Sequence, residues 1–303
     1  MHTQTKNRIS FLQEYLKKNA GRWYRKYGEN LSGIRIDKKL RGKNKLPYYT
    51  IVFQVVKKMG EEDISEKELI PPHFMIKFPD GKERKIKTDV QQTGRFEFHA
   101  HLLDPITDIA SGETGTLGLF LQDNHQNVYA LTNYHVAAQS LLYQNIFSYD
   151  VNQHHSPHRV RVNGHNAYLY KGTMTTTRDV AFVRLPSGVA VHNRLPGGLR
   201  ISQEPVDTIL GPEWRHRKLK FYLRSTEGSF TRTIVDNSTS VSTAYVRFED
   251  LISVDLCTLN GDSGSPVLFD SNRVIGIVIG GDDRFTYILP YHQVKSFLSL
   301  SIL

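Results

Sequence analysis

Cysteine is almost missing from this chain: Cys257 stands alone among 303 residues, so no intrachain disulfide can form and a disulfide-stapled scaffold is excluded. A fold kept together without disulfides fits a reducing compartment, and the expected localisation is cytoplasmic. Long apolar runs are missing too. None approaches the roughly 20 residues of a membrane-spanning helix, and the opening MHTQTKNRIS lacks the apolar stretch of a secretory leader. The expectation is a protein with no transmembrane segment. Net positive charge is missing beyond residue 58. Residues 1–58 hold fifteen Lys/Arg against three Asp/Glu, a local net of +12, which leaves −3 for the remainder of a chain whose total is +9. A nucleic acid or another anionic surface would therefore have to meet the N-terminal segment; no nucleic-acid motif accompanies it, and a solvated basic face is the plainer reading.

What is present is an ordinary globular composition, 39% hydrophobic and 11% aromatic, in a chain long enough for one large domain or two unequal ones. Apolar residues at Ile9, Leu12, Leu16, Trp23 and Tyr27 recur at helical spacing and are followed by Gly28, which predicts an amphipathic helix with a stop signal. Strand runs at 33–40 and 48–56 flank a turn-rich 41–44, and runs at 74–78 and 85–91 bracket Pro79-Asp80-Gly81-Lys82; both read as hairpins. Ser65-Glu66-Lys67-Glu68 predicts a short capped helix. Residues 1–108 thus form a basic α+β accessory domain in this reading, with a regulatory protein partner as one conceivable role.

From about residue 109 the pattern is β throughout. One set of short strands runs over about 112–188 and a second over about 200–290, including segments 230–235 and 243–248, with a polar bridge between the sets and a closing helix at 291–300. The fold class expected is mainly β: two six-stranded antiparallel barrels, preceded by the small α+β domain.

Three segments carry chemistry. Leu259-Asn260-Gly261-Asp262-Ser263-Gly264-Ser265-Pro266 reads as a nucleophile turn: a serine hydroxyl needs a base to take its proton and donors for the oxyanion, and the flanking glycines leave room for both. Leu131-Thr132-Asn133-Tyr134-His135-Val136 places a histidine where a strand gives way to a helical turn, and Arg178-Asp179-Val180-Ala181-Phe182-Val183-Arg184-Leu185 sets an acid at the mouth of a buried strand. Taken singly, such a His is more often structural and such an Asp more often a cap. Together, in the order His, Asp, Ser with gaps of 44 and 84 residues, they form a constellation. Ser265 is the fallback nucleophile, but it precedes Pro266 and lacks the flanking glycines.

These three blocks resemble the signatures of trypsin-like serine peptidases of the chymotrypsin fold, over about residues 112–303. The resemblance implies a serine endopeptidase acting on a protein or peptide substrate through an acyl-enzyme, in a regulatory or processing role. It makes His135 the general base, Asp179 its orienting partner and Ser263 the nucleophile, with the Gly261 and Ser263 N–H groups as the oxyanion hole. A catalytically silent peptide-binding or scaffold protein on the same fold is the alternative. The pattern Gly33-Ile34-Arg35-Ile36, Ile51-Val52-Phe53-Gln54-Val55 and Leu69-Ile70-Pro71-Pro72 also resembles the leading segment of certain bacterial and plant trypsin-like peptidases, where it precedes a block like Gly115-Thr116-Leu117-Gly118.

Secreted relatives carry disulfides and a newly cut N-terminus that pairs with the Asp before the nucleophile. Here Asp262 would lack that partner unless the chain is cut near 95–112; the layout is closer to intracellular relatives that need no cut. By the same resemblance Cys257 and Thr258 lie at the base of the P1 pocket, with Ile279, Gly280, Gly281 and Thr286 along its walls. Neither an acid at Cys257 nor a His at Val278 is present, so the implied pocket is shallow and uncharged, for small or medium apolar side chains. Cys257 is read as a buried small residue, with a redox-sensitive thiol the other option. His154, His155, His158 and His165 crowd one loop but lack acidic or cysteine ligands at a zinc-binding spacing, so no metal site is expected, nor any cofactor.

Overall fold

The computed structural model describes residues 3–28, 30–41, 44–94, 103–186, 191–208, 211–223, 225–226, 229–255, 257–270, 272–297 and 300–303. Helix α1 spans Thr3–Tyr27 and buries Ile9, Leu12, Leu16, Ala20, Trp23 and Tyr27 on one stripe, ending at Gly28, whose φ of 69° lets the chain turn away. The stripe lies on strands β1 (Leu31–Arg41) and β2 (Asn44–Val55) and shares a core with Ile34, Ile36, Ile51 and Phe53. Strands β3 (His73–Lys77) and β4 (Glu83–Gln92) form the hairpin expected around residues 79–82. β4 inserts between β2 and β3, parallel to β2, so the order is β1-β2-β4-β3. The short helix expected at 65–68 is instead a turn, closed by Glu68 N to Ser65 O at 2.9 Å and by Ser65 Oγ to Glu68 Oε2 at 2.9 Å.

The first β set comprises β5 (Pro105–Asp108), β6 (Thr114–Thr116), β7 (Leu119–Gln122), β8 (Val128–Thr132), β9 (Ser148–Asp150), β10 (Arg159–Val162), β11 (His165–Thr175) and β12 (Arg178–Arg184). Two short helices, α2 (Tyr134–Ala137) and α3 (Gln139–Leu142), follow β8. β10 alternates exposed Arg159 and Arg161 with buried Val160 and Val162, whereas Asp179–Val183 in β12 are buried throughout, covered on both faces.

The second set comprises β13 (Lys218–Tyr222), β14 (Ser229–Ser242), β15 (Arg247–Asp255), β16 (Pro266–Phe269), β17 (Arg273–Gly281) and β18 (Phe285–Pro290). These run β13-β16-β17-β18-β15-β14, and the β13–β14 pairing closes them into a six-stranded antiparallel barrel. The first set is a curled half-barrel, β7-β8-β12-β11-β10-β5-β6 with β9 on β11, so the two-barrel chymotrypsin-like architecture is realised as one closed barrel and one curled sheet. Helix α4 (Tyr291–Lys295) is shorter than the expected 291–300: strand β19 (Ser301–Ile302) follows and pairs with β7, joining the chain end to the half-barrel.

The N-terminal strands are hydrogen-bonded into the closed barrel. β1 pairs with β14 at Gly33↔Val241 and Ile34↔Ser240, which makes one ten-stranded sheet. At a bulge in β14 the fully buried Asp236 accepts from Gln13 Nε2 (3.1 Å), Ile36 N (3.2 Å), Asn237 N (2.7 Å) and Arg215 Nη2 (2.8 Å). A buried carboxylate is costly unless donors surround it, and here they come from α1, β1 and the barrel itself. No helix among the described residues is long and apolar enough to cross a membrane.

Candidate active site

β8 and β12 run side by side, Thr132 opposite Ala181, so the chain leaving β8 passes the start of β12. There Asn133 caps α2 in extended backbone and donates its side-chain amide to the Asp179 carbonyl (3.0 Å). His135 follows, almost wholly buried. Its backbone N donates to Asp179 Oδ1 (3.1 Å), and its ring Nδ1 lies 2.6 Å from Asp179 Oδ2. A carboxylate only accepts, so the ring proton belongs on Nδ1 and the basic lone pair on Nε2. Asp179 has no exposed surface, and both its oxygens are engaged by one residue.

The helical turns carrying His135 are braced from behind by Asp108, at the end of β5. Its Oδ2 accepts from Ser140 N (2.7 Å), while Oδ1 accepts from Ala110 N (3.0 Å) and faces His158 Nε2 at 3.1 Å. Burial alone would raise the Asp108 carboxyl, but the hydrogen bonds from His158 and Ser140 outweigh it and hold the group at about 2. His154 stacks on Tyr149, so two of the four loop histidines are engaged within the half-barrel, and no cluster of three metal-ligating groups occurs among the described residues.

The Ser263 turn rises from the other barrel. Gly264 has φ of 96°, and a Cβ there would come 2.2 Å from the Thr116 carbonyl, so only glycine fits. Gly264 N donates to Val278 O (2.7 Å) and Val278 N to Ser265 O (2.9 Å), which fastens the turn to β17. Thr116 then ties it to the half-barrel: its N donates to Ser263 O (2.9 Å) and its hydroxyl to Gly261 O (3.0 Å), while its own carbonyl accepts from Thr132 Oγ1, three residues before His135. The serine turn and the histidine turn thus share one bridging residue. The Ser263 hydroxyl, fully buried, donates to Ile279 O at 3.1 Å. Ser265 is equally buried, its N donating to Asp262 O.

Asp262 is also fully buried. Its Oδ2 accepts from Ser225 Oγ (2.6 Å) and Leu259 N (2.8 Å), and its Oδ1 from Ser225 N (3.2 Å). The donors to this carboxylate come from the β13–β14 connection and from the turn itself; residues 95–102 of the expected cut window lie outside the described residues.

Of the six pocket candidates, Cys257, Thr258, Gly281 and Thr286 are brought together. Thr286 on β18 faces Gly281 on β17, and its hydroxyl meets Thr258 Oγ1 (2.8 Å), Cys257 N (3.1 Å) and Cys257 Sγ (3.5 Å). Gly280 lies opposite Tyr287, and Ile279 is buried. Cys257 is half-buried and not the buried residue expected from the sequence; desolvation still pushes its thiol up to about 11, so it is a neutral group at pH 7. Sequence reasoning missed the roles of Thr116, Ser225 and Asp108. Thr116 had a signal, since it sits in the Gly115–Gly118 block; Ser225, in the β13–β14 connection, and Asp108, at the end of β5, carry none, and their contacts lie 37 and 32 residues away.

A family model described as a trypsin-like peptidase domain matches residues 115–277, more than half of the chain. No curated protein matches it. Among solved structures, a Nocardiopsis protease is 16% identical with a TM-score of 0.48, covering 68% of this chain and 98% of its own. Thermobifida fusca protease A is 17% identical (TM-score 0.47; 68% and 98% covered), as is a Cellulomonas bogoriensis chymotrypsin (TM-score 0.46; 68% and 99% covered). With its sequence match running from the Gly115 block through the Ser263 turn into β17, this chain belongs to the trypsin-like peptidase domain family.

Proposed function

We propose that the protein is a serine endopeptidase in which Ser263 attacks the peptide carbonyl, His135 Nε2 takes its proton and returns it to the leaving amine, and water then resolves the acyl-enzyme. The observation that carries this reading is the 2.6 Å contact between His135 Nδ1 and Asp179 Oδ2, backed by the second carboxylate oxygen on the His135 amide. The Ser263 hydroxyl must leave the Ile279 carbonyl to reach the imidazole. The amides of Asp262, Gly264 and Ser265 are spent on Leu259, Val278 and Asp262 carbonyls, which supports Gly261 and Ser263 N–H as the oxyanion donors. Asp262 held by Ser225 and Leu259 supports activity without a cut, and the lone Cys257 supports a reducing compartment. A protein or peptide is the substrate, and processing is the role that we favour.

The P1 pocket in this reading is shallow and uncharged: none of Cys257, Thr258, Ile279, Gly280, Gly281 and Thr286 carries charge, and the Thr258–Thr286 hydroxyl contact lies across its base. Small or medium apolar P1 residues fit it. A peptide-library digest cut after Arg, Lys or Glu would overturn that preference.

The second reading, a silent peptide-binding protein, draws on the Ser263 hydroxyl being bonded to Ile279 O. Labelling with a small fluorophosphonate separates the two. Wild type is expected to label and Ser263→Ala not, with peptide turnover in that variant down on the order of 10⁶-fold. Cleavage retained by Ser263→Ala, or wild type that never labels, rules out Ser263 as nucleophile.

A further inference from the structure

The N-terminal segment reaches β18 and the turn between β17 and β18, the strands that carry four of the proposed P1 residues. Gln54, fully buried in β2, donates Nε2 to the Tyr287 hydroxyl (2.6 Å) and to Asp282 Oδ2 (3.1 Å), and the Tyr287 hydroxyl donates to the same oxygen (2.6 Å). Asp282 Oδ1 accepts from Arg284 N (2.8 Å) and Phe285 N (2.9 Å), which shapes the turn between β17 and β18. The same turn donates from Asp283 N to Thr93 O (2.8 Å) and from Arg284 Nη1 to Gln91 Oε1 (3.0 Å), and the Arg35 guanidinium lies 3.5 Å over the Phe285 ring. Burial raises both the Asp282 carboxyl and the Tyr287 hydroxyl, which keeps Tyr287 a donor.

Tyr287 lies opposite Gly280 and adjoins Thr286, whose hydroxyl gathers Cys257 and Thr258; Ile279, one residue before Gly280, supplies the carbonyl that holds the Ser263 hydroxyl. A glutamine with no exposed surface in the run Ile51-Val52-Phe53-Gln54-Val55 contradicts the apolar character of its strand, and the chain makes room for it. Gly33 stands in register opposite Gln54, and a Cβ at Gly33 would come 2.6 Å from Gln54 Oε1.

We propose that Gln54 is a positioning residue for the P1 pocket, acting through Asp282 and Tyr287, so that the N-terminal segment sets substrate selection and is not a detachable module. The proposal rests on the peptidase reading above. Nothing in the P1 cluster itself names this residue; the juxtaposition of β2 with the β17–β18 turn does.

The test uses the full chain. Gln54→Leu keeps the volume and removes the donors, and Gly33→Ala crowds the same amide while leaving residue 54 in place. Gln13→Ala, which strips one donor from Asp236 away from the pocket, is the stability control. Kinetics on the preferred peptide, a P1 library profile and thermal unfolding are measured for each. Gln54→Leu and Gly33→Ala are expected to raise KM by about tenfold, as loss of one or two buried hydrogen bonds allows, with a much smaller change in kcat and a shifted P1 profile. Gln13→Ala is expected to melt earlier with KM and P1 profile unchanged. An unaltered profile in both pocket-side variants, or the same KM rise in Gln13→Ala, overturns the proposal. Wild type that neither labels nor cleaves overturns the peptidase reading and this proposal with it, and that failure is told apart because it appears before any substitution. Should Gln54→Leu fail to fold, Gly33→Ala decides alone.

Discussion

Replacing Asp179 with asparagine interrogates the proposed triad most sharply, because the carboxylate serves two donors of one residue. Oδ1 takes the His135 backbone N–H at 3.1 Å and Oδ2 takes ring Nδ1–H at 2.6 Å. An asparagine has one oxygen. If that oxygen stays on the backbone N–H, its NH₂ faces Nδ1, and the ring must accept there and carry its proton on Nε2, where it cannot take one from Ser263. If the amide flips, the ring tautomer is right but the backbone N–H meets an NH₂ in a site with no water-exposed carboxylate surface, a cost of about 1–3 kcal/mol. The loss expected in kcat for Asp179→Asn is on the order of 10⁴, about 5 kcal/mol of transition-state stabilisation, with the fold retained. The assay is peptide turnover with the fluorophosphonate labelling rate alongside, both referred to a thermal melt. Asp179→Asn turning over within tenfold of wild type, while folded, would refute the assignment of Asp179 as the orienting acid.

Two further outcomes are expected. Gly118→Ala would set a methyl 2.3 Å from the Gly264 carbonyl, backbone that cannot swing aside, so it should cost about 1–3 kcal/mol in urea unfolding and slow labelling of Ser263; an unchanged midpoint and labelling rate would contradict the tight apposition of the two barrels. The Asp108 carboxyl is held at about 2, below its ordinary 3.8, so its contribution is full above pH 4 and is lost as pH falls from about 4 to about 2. Melting temperature followed from pH 6 to 2 should show that loss in wild type and less of it in Asp108→Asn; parallel curves would show that the group carries no such linkage.

Much of this molecule is legible where short-range pattern decides. The apolar positions Ile9, Leu12, Leu16, Trp23 and Tyr27 point one way because 3.6-residue periodicity is local, and they are all buried. His135 and Asp179 were visible as motifs, and the structure places them in contact. Strand partners were not visible. The runs expected at 230–235 and 243–248 miss the strand between them: β14 continues through a bulge at Asp236 as far as Ser242, stabilised by donors to Asp236 from Arg215 and from Gln13, 223 residues away, whereas residues 243–246 are the connection to β15. The closing helix is expected too long because Phe297 and Leu300 continue the apolar spacing, yet both pack beyond the end of α4 on the core that the two β sets share, Phe297 stacking on Phe182 of β12. Ser225 and Gln54 escaped notice for one reason: their partners, Asp262 and Asp282, come from distant segments, and hydrogen-bond partners across such distances leave no periodic trace.

The ladder between β1 and β14 joins Gly33 to Val241. During synthesis at about 5–20 residues per second, β1 leaves the ribosome on the order of 10–40 s before the strand it needs. For that interval its edge is open to other chains, and lysines and arginines crowd the same stretch. Until residue 241 has been made, the ten-stranded sheet has no partner for this edge of β1, so the N-terminal strands and the closed barrel become one sheet only late in synthesis.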